Sequence, residues 1–268
     1  MTKDKDHTKH QPALESFGRL MDIMDELREK CPWDKKQTFE SLRHLTIEET
    51  YELAGAILER NMDDIRKELG DILLHIVFYA KIASETGDFT IKEVIDGLCE
   101  KLIFRHPHVF GDVPVNDELE VKSNWENLKI KEGSRSILAG VPESLPAMVK
   151  ALRIQDKVRA VGFDWDQREQ VWDKVNEELD ELKQEMERMD AGKAENELGD
   201  LLFSIINTAR LYGFDPESAL ERTNRKFIKR FNYLEQKTIR AGRPLTAMSL
   251  DEMNVIWEEA KKNDDRSS

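Results

Sequence analysis

The sequence predicts an all-α protein made of two tandem helical units. Three observations carry that prediction. Apolar residues recur at helical spacing along most of the chain. No stretch alternates clearly with period two. A set of carboxylates also appears twice in the same pattern: Glu49 to Asp71 and Glu178 to Asp200 are each separated by 22 residues. The words around them match as well, with ELGDILLHI at Glu68–Ile76 and ELGDLLFSI at Glu197–Ile205.

Taken in order, residues 1–12 are polar and basic and read as a disordered tail. Leu14, Phe17, Leu20, Met21, Met24 and Leu27 then form the apolar stripe of a helix over Ala13–Lys30, which Cys31-Pro32-Trp33-Asp34 ends with a turn. Two acidic helices follow, with Asn61-Met62-Asp63 as the bend between them. A helix over Ile91–Arg105 stops at His106-Pro107, because proline disfavours helix at the residue before it. Asp112–Glu120 reads as a loop and Val121–Lys131 as a short helix carrying Trp125.

These elements place a first domain at 13–131, a linker at 132–146 and a second domain at 147–262, with 263–268 as a tail. The second domain repeats the plan. It has a helix at Met148–Ala160, a Phe163-Asp164-Trp165-Asp166 turn, and acidic helices that break at Asp190-Ala191-Gly192. Further helices are expected at Pro216–Leu234 and Leu250–Lys261.

A net charge of −13 argues against nonspecific binding to nucleic acid or to an anionic membrane. Cys31 and Cys99 are too few for a disulfide framework or a zinc site. No apolar run approaches a membrane span and the N-terminus lacks a signal-peptide core, so a cytoplasmic location is expected.

The chemistry is expected in the acidic helix pairs. Helical residues three apart share a face about 4.5 Å apart along the axis, so Glu49 and Glu52 point one way, as do Glu68 and Asp71. The same holds for Glu178 with Glu181 and for Glu197 with Asp200. Folding each pair of helices back brings four carboxylates together, and they repel one another unless cations sit among them. Oxygen-only ligands favour Mg²⁺, with Mn²⁺ as a substitute, over zinc. The E-x-x-H pairs of di-iron bundles are missing, since Asp71 and Asp200 stand there.

Glu48 and Glu177 point about 100° away from their neighbours and read as outer or exposed groups. His75 has Ser204 as its repeat counterpart, and His106 and His108 have Phe231 and Tyr233, so none of the three is expected to bind metal. The bland alternative for any one acidic helix is a solvated face, and recurrence of the quartet argues against it. The cationic pairs Lys101/Arg105 and Lys226/Arg230 also recur, as do Trp125 and Trp257, which suit phosphate binding and base stacking or else surface and core roles.

With these motifs assembled, the chain resembles the MazG family of nucleoside triphosphate pyrophosphohydrolases. The likeness runs from about Leu14 to Lys261 and rests on CPWDKKQTFESL, EETYEL, ELGDILL, RHPHVFGD, VGFDW, EELDEL and ELGDLLF. It implies hydrolysis of NTPs and dNTPs between the α- and β-phosphates, to a monophosphate and pyrophosphate, in a homodimer.

The resemblance also implies that the second unit is the principal catalytic one, with Glu178, Glu181, Glu197 and Asp200 for metal. Lys193, Lys226, Arg230 and Trp257 would hold the nucleotide, with Lys129 contributed from the first unit. Glu178 or Glu181 would orient or deprotonate the attacking water, and the sequence does not choose between them. Lys193 precedes Glu197 by four residues where the first half has Asp64, which favours an anionic ligand in the second half. Two alternatives stand beside this reading: a nucleotide-sensing helical regulator without turnover, and a dNTPase restricted to noncanonical nucleotides.

Overall fold

The computed structural model describes residues 7–115, 120, 121, 124, 136–165, 167–240 and 242–265. Among these residues there is no strand, and the fold is all-α. The chain divides into two compact units, Met1–Val115 and Asn116–Ser268, ahead of the expected linker at 132–146. The described part of that linker carries a 3-10 turn at Ile137–Gly140 that packs on the helix after it.

The first unit holds α1 (Gln11–Lys30), α2 (Phe39–Glu59), α3 (Met62–Thr86), α4 (Ile91–Arg105) and the single turn α5 (Pro107–Phe110). Local chemistry sets their ends. Thr38 and Ser41 form a reciprocal capping box at the start of α2, and Thr90 and Glu93 do the same for α4. Asn61 caps α3 by accepting the Asp63 and Asp64 N–H groups. Helix α2 packs along α3, and α1 lies against α3. Met24, Leu42, Val77, Phe78 and Ile82 make the core, with Leu45, Leu74 and Tyr79 packed around it.

The second unit holds α6 (Ala147–Arg159), α7 (Val171–Glu187), α8 (Ala191–Leu211), α9 (Pro216–Arg240) and α10 (Leu250–Asp265). Helix α7 packs along α8, α6 lies on α8, and α9 bridges from α6 and α8 to α10. Arg60 and Met189 occupy equivalent places in the two helix-pair turns, and both adopt left-handed backbone (φ 55° and 56°). That conformation closes each helix and turns the chain back.

Several expectations are corrected. A 3-10 turn at His7–His10 and the start of α1 at Gln11 fall inside the expected tail of 1–12. The α7–α8 break lies at Arg188–Asp190, not Asp190–Gly192, because Asp190 caps α8 through the Lys193 N–H. Helix α9 runs to Arg240 instead of Leu234, and α10 runs to Asp265, into the expected tail at 263–268. Of the short helix expected at Val121–Lys131, Trp125 and Lys129 lie outside the described residues.

By helical spacing Leu69, Ile72, Leu73 and Ile76 of α3 form an apolar stripe, but that stripe is not the face buried in the unit's core. Leu69, Leu73 and Ile76 are exposed, and the buried face of α3 runs instead through Glu68, His75, Phe78 and Ile82. The helix has turned so that Glu68 itself faces inward.

Candidate active site

Each helix pair brings three carboxylates together, one from its first helix and two from its second. In the first unit these are Glu49, Glu68 and Asp71, and in the second Glu178, Glu197 and Asp200. Within each trio the nearest oxygens all lie within 4.8 Å of one another. The two trios occupy matching positions of the repeat. Glu52 and Glu181, the remaining expected ligands, stand outside their trios but close beside them. Glu52 adds negative charge at Glu49, and Glu181 adds negative charge at Glu197.

The electrostatics agree with crowded anions. Burial first, then the charges of Asp71, Glu52 and Glu68, push the Glu49 carboxyl up from its ordinary range. Burial first, then Glu181, Asp200 and Glu178, do the same at Glu197. Each trio has recruited a lysine. Lys67 Nζ lies 2.9 Å from Glu68 and 3.9 Å from Asp71. Lys174 Nζ lies 2.7 Å from Glu178, and the two carboxylates Glu178 and Glu177 raise its pKa.

One lysine does not satisfy the first trio, since Glu68 Oε2 is buried with no hydrogen-bond partner. A hard divalent cation fits such an all-oxygen set, and the orphaned oxygen supplies a ligand that the protein leaves unused. His75 belongs to neither trio. It is buried with Nδ1 2.8 Å from Thr46 Oγ1, and burial lowers its pKa. His106 Nδ1 meets the Leu102 carbonyl at 2.6 Å, a helix-end contact. Glu48 and Glu177 are exposed, and Glu177 pairs with Lys174 at 3.0 Å.

Beside the second trio lies a cavity of about 600 Å³. Glu178 and Asp200 form part of its wall, α6 contributes Gln155, and the turn before α7 contributes Phe163, Asp164 and Trp165. Phe203, Asn207 and Arg210 line it from α8. Arg210 is buried and fixed by Asp164, with Nη1 to Oδ2 at 3.0 Å. It also donates from Nε to Asn207 Oδ1 at 2.9 Å.

The cationic residues named from sequence sit apart from this cavity wall. Lys193, at the start of α8, is exposed with Nζ 3.6 Å from Asp190. Lys226 is exposed on α9, whereas Arg230 Nε is held 2.8 Å from Asp264. Trp257 on α10 packs on Phe227 with ring centroids 4.9 Å apart. Gln155, Asn207, Arg210 and Lys174 were not singled out from sequence. Little in the sequence marks them, because a polar residue on a helix ordinarily reads as solvent-facing.

Comparison with known proteins places the chain. The model of the MazG nucleotide pyrophosphohydrolase domain matches it twice, over residues 37–110 and 167–234, so each match contains one carboxylate trio. A Thermotoga maritima protein named nucleoside triphosphate pyrophosphohydrolase/pyrophosphatase MazG is 46% identical over 254 residues, 93% of this chain and 97% of its own. A nucleoside triphosphate pyrophosphohydrolase of Escherichia coli K12 is 40% identical over 260 residues, covering 94% of this chain and 99% of its own. An uncharacterized Bacillus subtilis protein, YabN, is 45% identical over 257 residues, 94% of this chain but 53% of its own length. With two matched domains and end-to-end similarity to these relatives, the chain belongs to the MazG nucleotide pyrophosphohydrolase family.

Proposed function

We propose that the chain hydrolyses nucleoside triphosphates, both NTPs and dNTPs, at the α–β phosphate bond, and that the second unit carries the main site. The observation behind this reading is the placement of Glu178 and Asp200 at once in a carboxylate trio and in the wall of a nucleotide-sized cavity. Glu178, Glu197 and Asp200 would hold Mg²⁺, or Mn²⁺ in its place. A bound divalent cation supplies neutralisation of the triphosphate, polarisation of the scissile phosphoryl group and acidification of water.

Glu181 stands next to Glu197 but outside the trio, which suits it to orient the attacking water and take its proton. Glu178, already a ligand, acts in catalysis by holding the reacting groups in register. Lys193, Lys226 and Arg230 serve the phosphates. Arg230 reaches them only by exchanging the Asp264 carboxylate for a phosphate oxygen, an exchange between two strong charge-assisted contacts. Trp257 and Lys129 complete the nucleotide contacts by family likeness.

The protein would work as a homodimer. Supporting this are the exposed apolar faces of α3 (Leu69, Leu73, Ile76) and α8 (Leu198, Leu202, Ile205), which water covers at a cost in a monomer.

Product analysis tests the proposal. The protein is incubated with each NTP and dNTP plus Mg²⁺, and monophosphate with pyrophosphate is separated from diphosphate with phosphate. Monophosphate plus pyrophosphate, lost in Glu178→Gln, is expected. Diphosphate as the product, or no turnover of any nucleotide, contradicts it.

A further inference from the structure

The two units use the same helical positions differently, and the difference is concentrated in the cavity. The words Ile-Met-Asp-Glu-Leu at Ile23–Leu27 and Ile-Gln-Asp-Lys-Val at Ile154–Val158 align Met24 with Gln155. The register that pairs Glu49 with Glu178 and Asp71 with Asp200 also pairs Leu45 with Lys174 and Phe78 with Asn207. In the first unit Met24 and Phe78 are core residues and Leu45 packs against them. In the second unit Gln155, Asn207 and Lys174 line the cavity. Three apolar core positions have become three polar cavity walls.

Gln155 is the informative one. It is 3% exposed, and its Nε2 donates to the Phe203 carbonyl oxygen at 2.9 Å. Because that partner is a carbonyl, the amide nitrogen must face it, which fixes the orientation of the side chain. Its Oε1 is then left buried without a partner. Leaving such an acceptor unsatisfied is costly, and the equivalent position of the first unit holds an apolar Met. The cost is offset when a ligand brings a donor to that oxygen.

Asn207 complements it. Its Oδ1 is occupied by Arg210, which leaves the amide nitrogen to meet an acceptor. Phe163 and Trp165 are aromatic residues of the same cavity wall. Glu178 and Asp200 mark the end where phosphates would lie, so the remainder of the space falls to the other end of a nucleotide.

We infer that Gln155 is a specificity-determining residue, its Oε1 accepting a hydrogen bond from an N–H on the substrate's nucleobase inside this cavity. The inference deepens the hydrolase reading and rests on it. A site built to meet an N–H rejects a base that lacks one, because the buried acceptor is left unpaired again. No charge has to change for this discrimination.

The test compares kcat/KM within four pairs: ATP with purine-riboside triphosphate, GTP with N1-methylinosine triphosphate, CTP with 2-pyrimidinone-riboside triphosphate, and UTP with N3-methyluridine triphosphate. Each second member lacks or blocks every N–H donor of its base. Wild type is expected to favour the donor-bearing member of at least one pair by about tenfold or more. Gln155→Met, which installs the residue of the first unit, is expected to erase that preference.

Equal rates within all four pairs for wild type overturn the inference without any variant. So does a preference that survives in Gln155→Met. Calorimetric titration with the corresponding nucleoside monophosphates, without metal, gives a readout independent of turnover and is expected to show the same preference. If no triphosphate is hydrolysed, the hydrolase reading fails. Absence of any preference among the monophosphates then overturns the role of Gln155 as well.

Discussion

At Glu178 and Glu68 a carboxylate lies almost fully buried with one lysine beside it, Lys174 and Lys67 respectively. A buried carboxylate is expensive unless paired, and each lysine is shared with a second carboxylate, Asp71 for Lys67 and Glu177 for Lys174. A divalent cation that binds the folded trio in preference to the unfolded chain is expected to stabilise the protein. In a thermal melt Mg²⁺ is expected to raise Tm by several degrees, and Glu178→Gln to reduce that rise. An unchanged rise in Glu178→Gln would take Glu178 out of the ligand set.

Asp164 gives a prediction in pH. Burial pushes its pKa up, but the Arg210 guanidinium, the Trp165 N–H and Arg159 outweigh it and hold the carboxyl below its ordinary value. A depressed acid binds fewer protons in the folded state than in the unfolded one. The stability it contributes is present above the ordinary aspartate range, near pH 4, and is lost as pH falls through its lowered value. Asp164→Asn is expected to lower Tm at neutral pH and to flatten the acid limb of a Tm-against-pH curve. An unchanged acid limb would contradict this account.

Among the elements, existence and order of the helices were legible because apolar spacing and caps are local. Thr90 with Glu93 and the stop at His106-Pro107 give Ile91–Arg105 its ends. The face that each helix buries was less legible. Leu69, Leu73 and Ile76 look like a core stripe, yet they are exposed while Glu68 and His75 are buried. Hydropathy does not say which of two apolar stripes a helix buries, and the buried carboxylate of Glu68 breaks the rule outright. The trios were legible down to Glu49, Glu68 and Asp71 because their spacing recurs. Gln155 and Asn207 were hidden, because a polar residue on a helix ordinarily reads as solvent-facing.

The turns carry a prediction of their own. Met189 is 91% exposed and held at φ 56°, where a side chain is strained and glycine is not. Met189→Gly is expected to stabilise the protein by about 0.5–1 kcal/mol in urea unfolding, the relief of strain exceeding the added freedom of the unfolded chain. Destabilisation would show that the Met189 side chain makes a contact worth more than its strain.

For the whole molecule, a net charge of −13 means that an anionic substrate is repelled until local cations outweigh the background. Among the described residues no helix is long and apolar enough to cross a membrane. The exposed apolar faces of α3 and α8 are what the proposed dimer would cover. Light scattering is expected to give about twice the chain mass of 31.2 kDa, and Leu202→Glu to shift it toward the monomer. A wild-type monomer would contradict the dimer.

The division of labour between two matching trios is the central claim, and one side-by-side rate measurement tests it. Pyrophosphate release from the preferred nucleotide is followed for wild type, Glu49→Gln and Glu178→Gln, with folding confirmed by circular dichroism. Glu178→Gln is expected to lose activity by about 100-fold or more, in line with removal of an electrostatic group from a reacting centre, while Glu49→Gln keeps most of it. Collapse of activity in Glu49→Gln with Glu178→Gln intact would place the chemistry in the first unit and contradict the account.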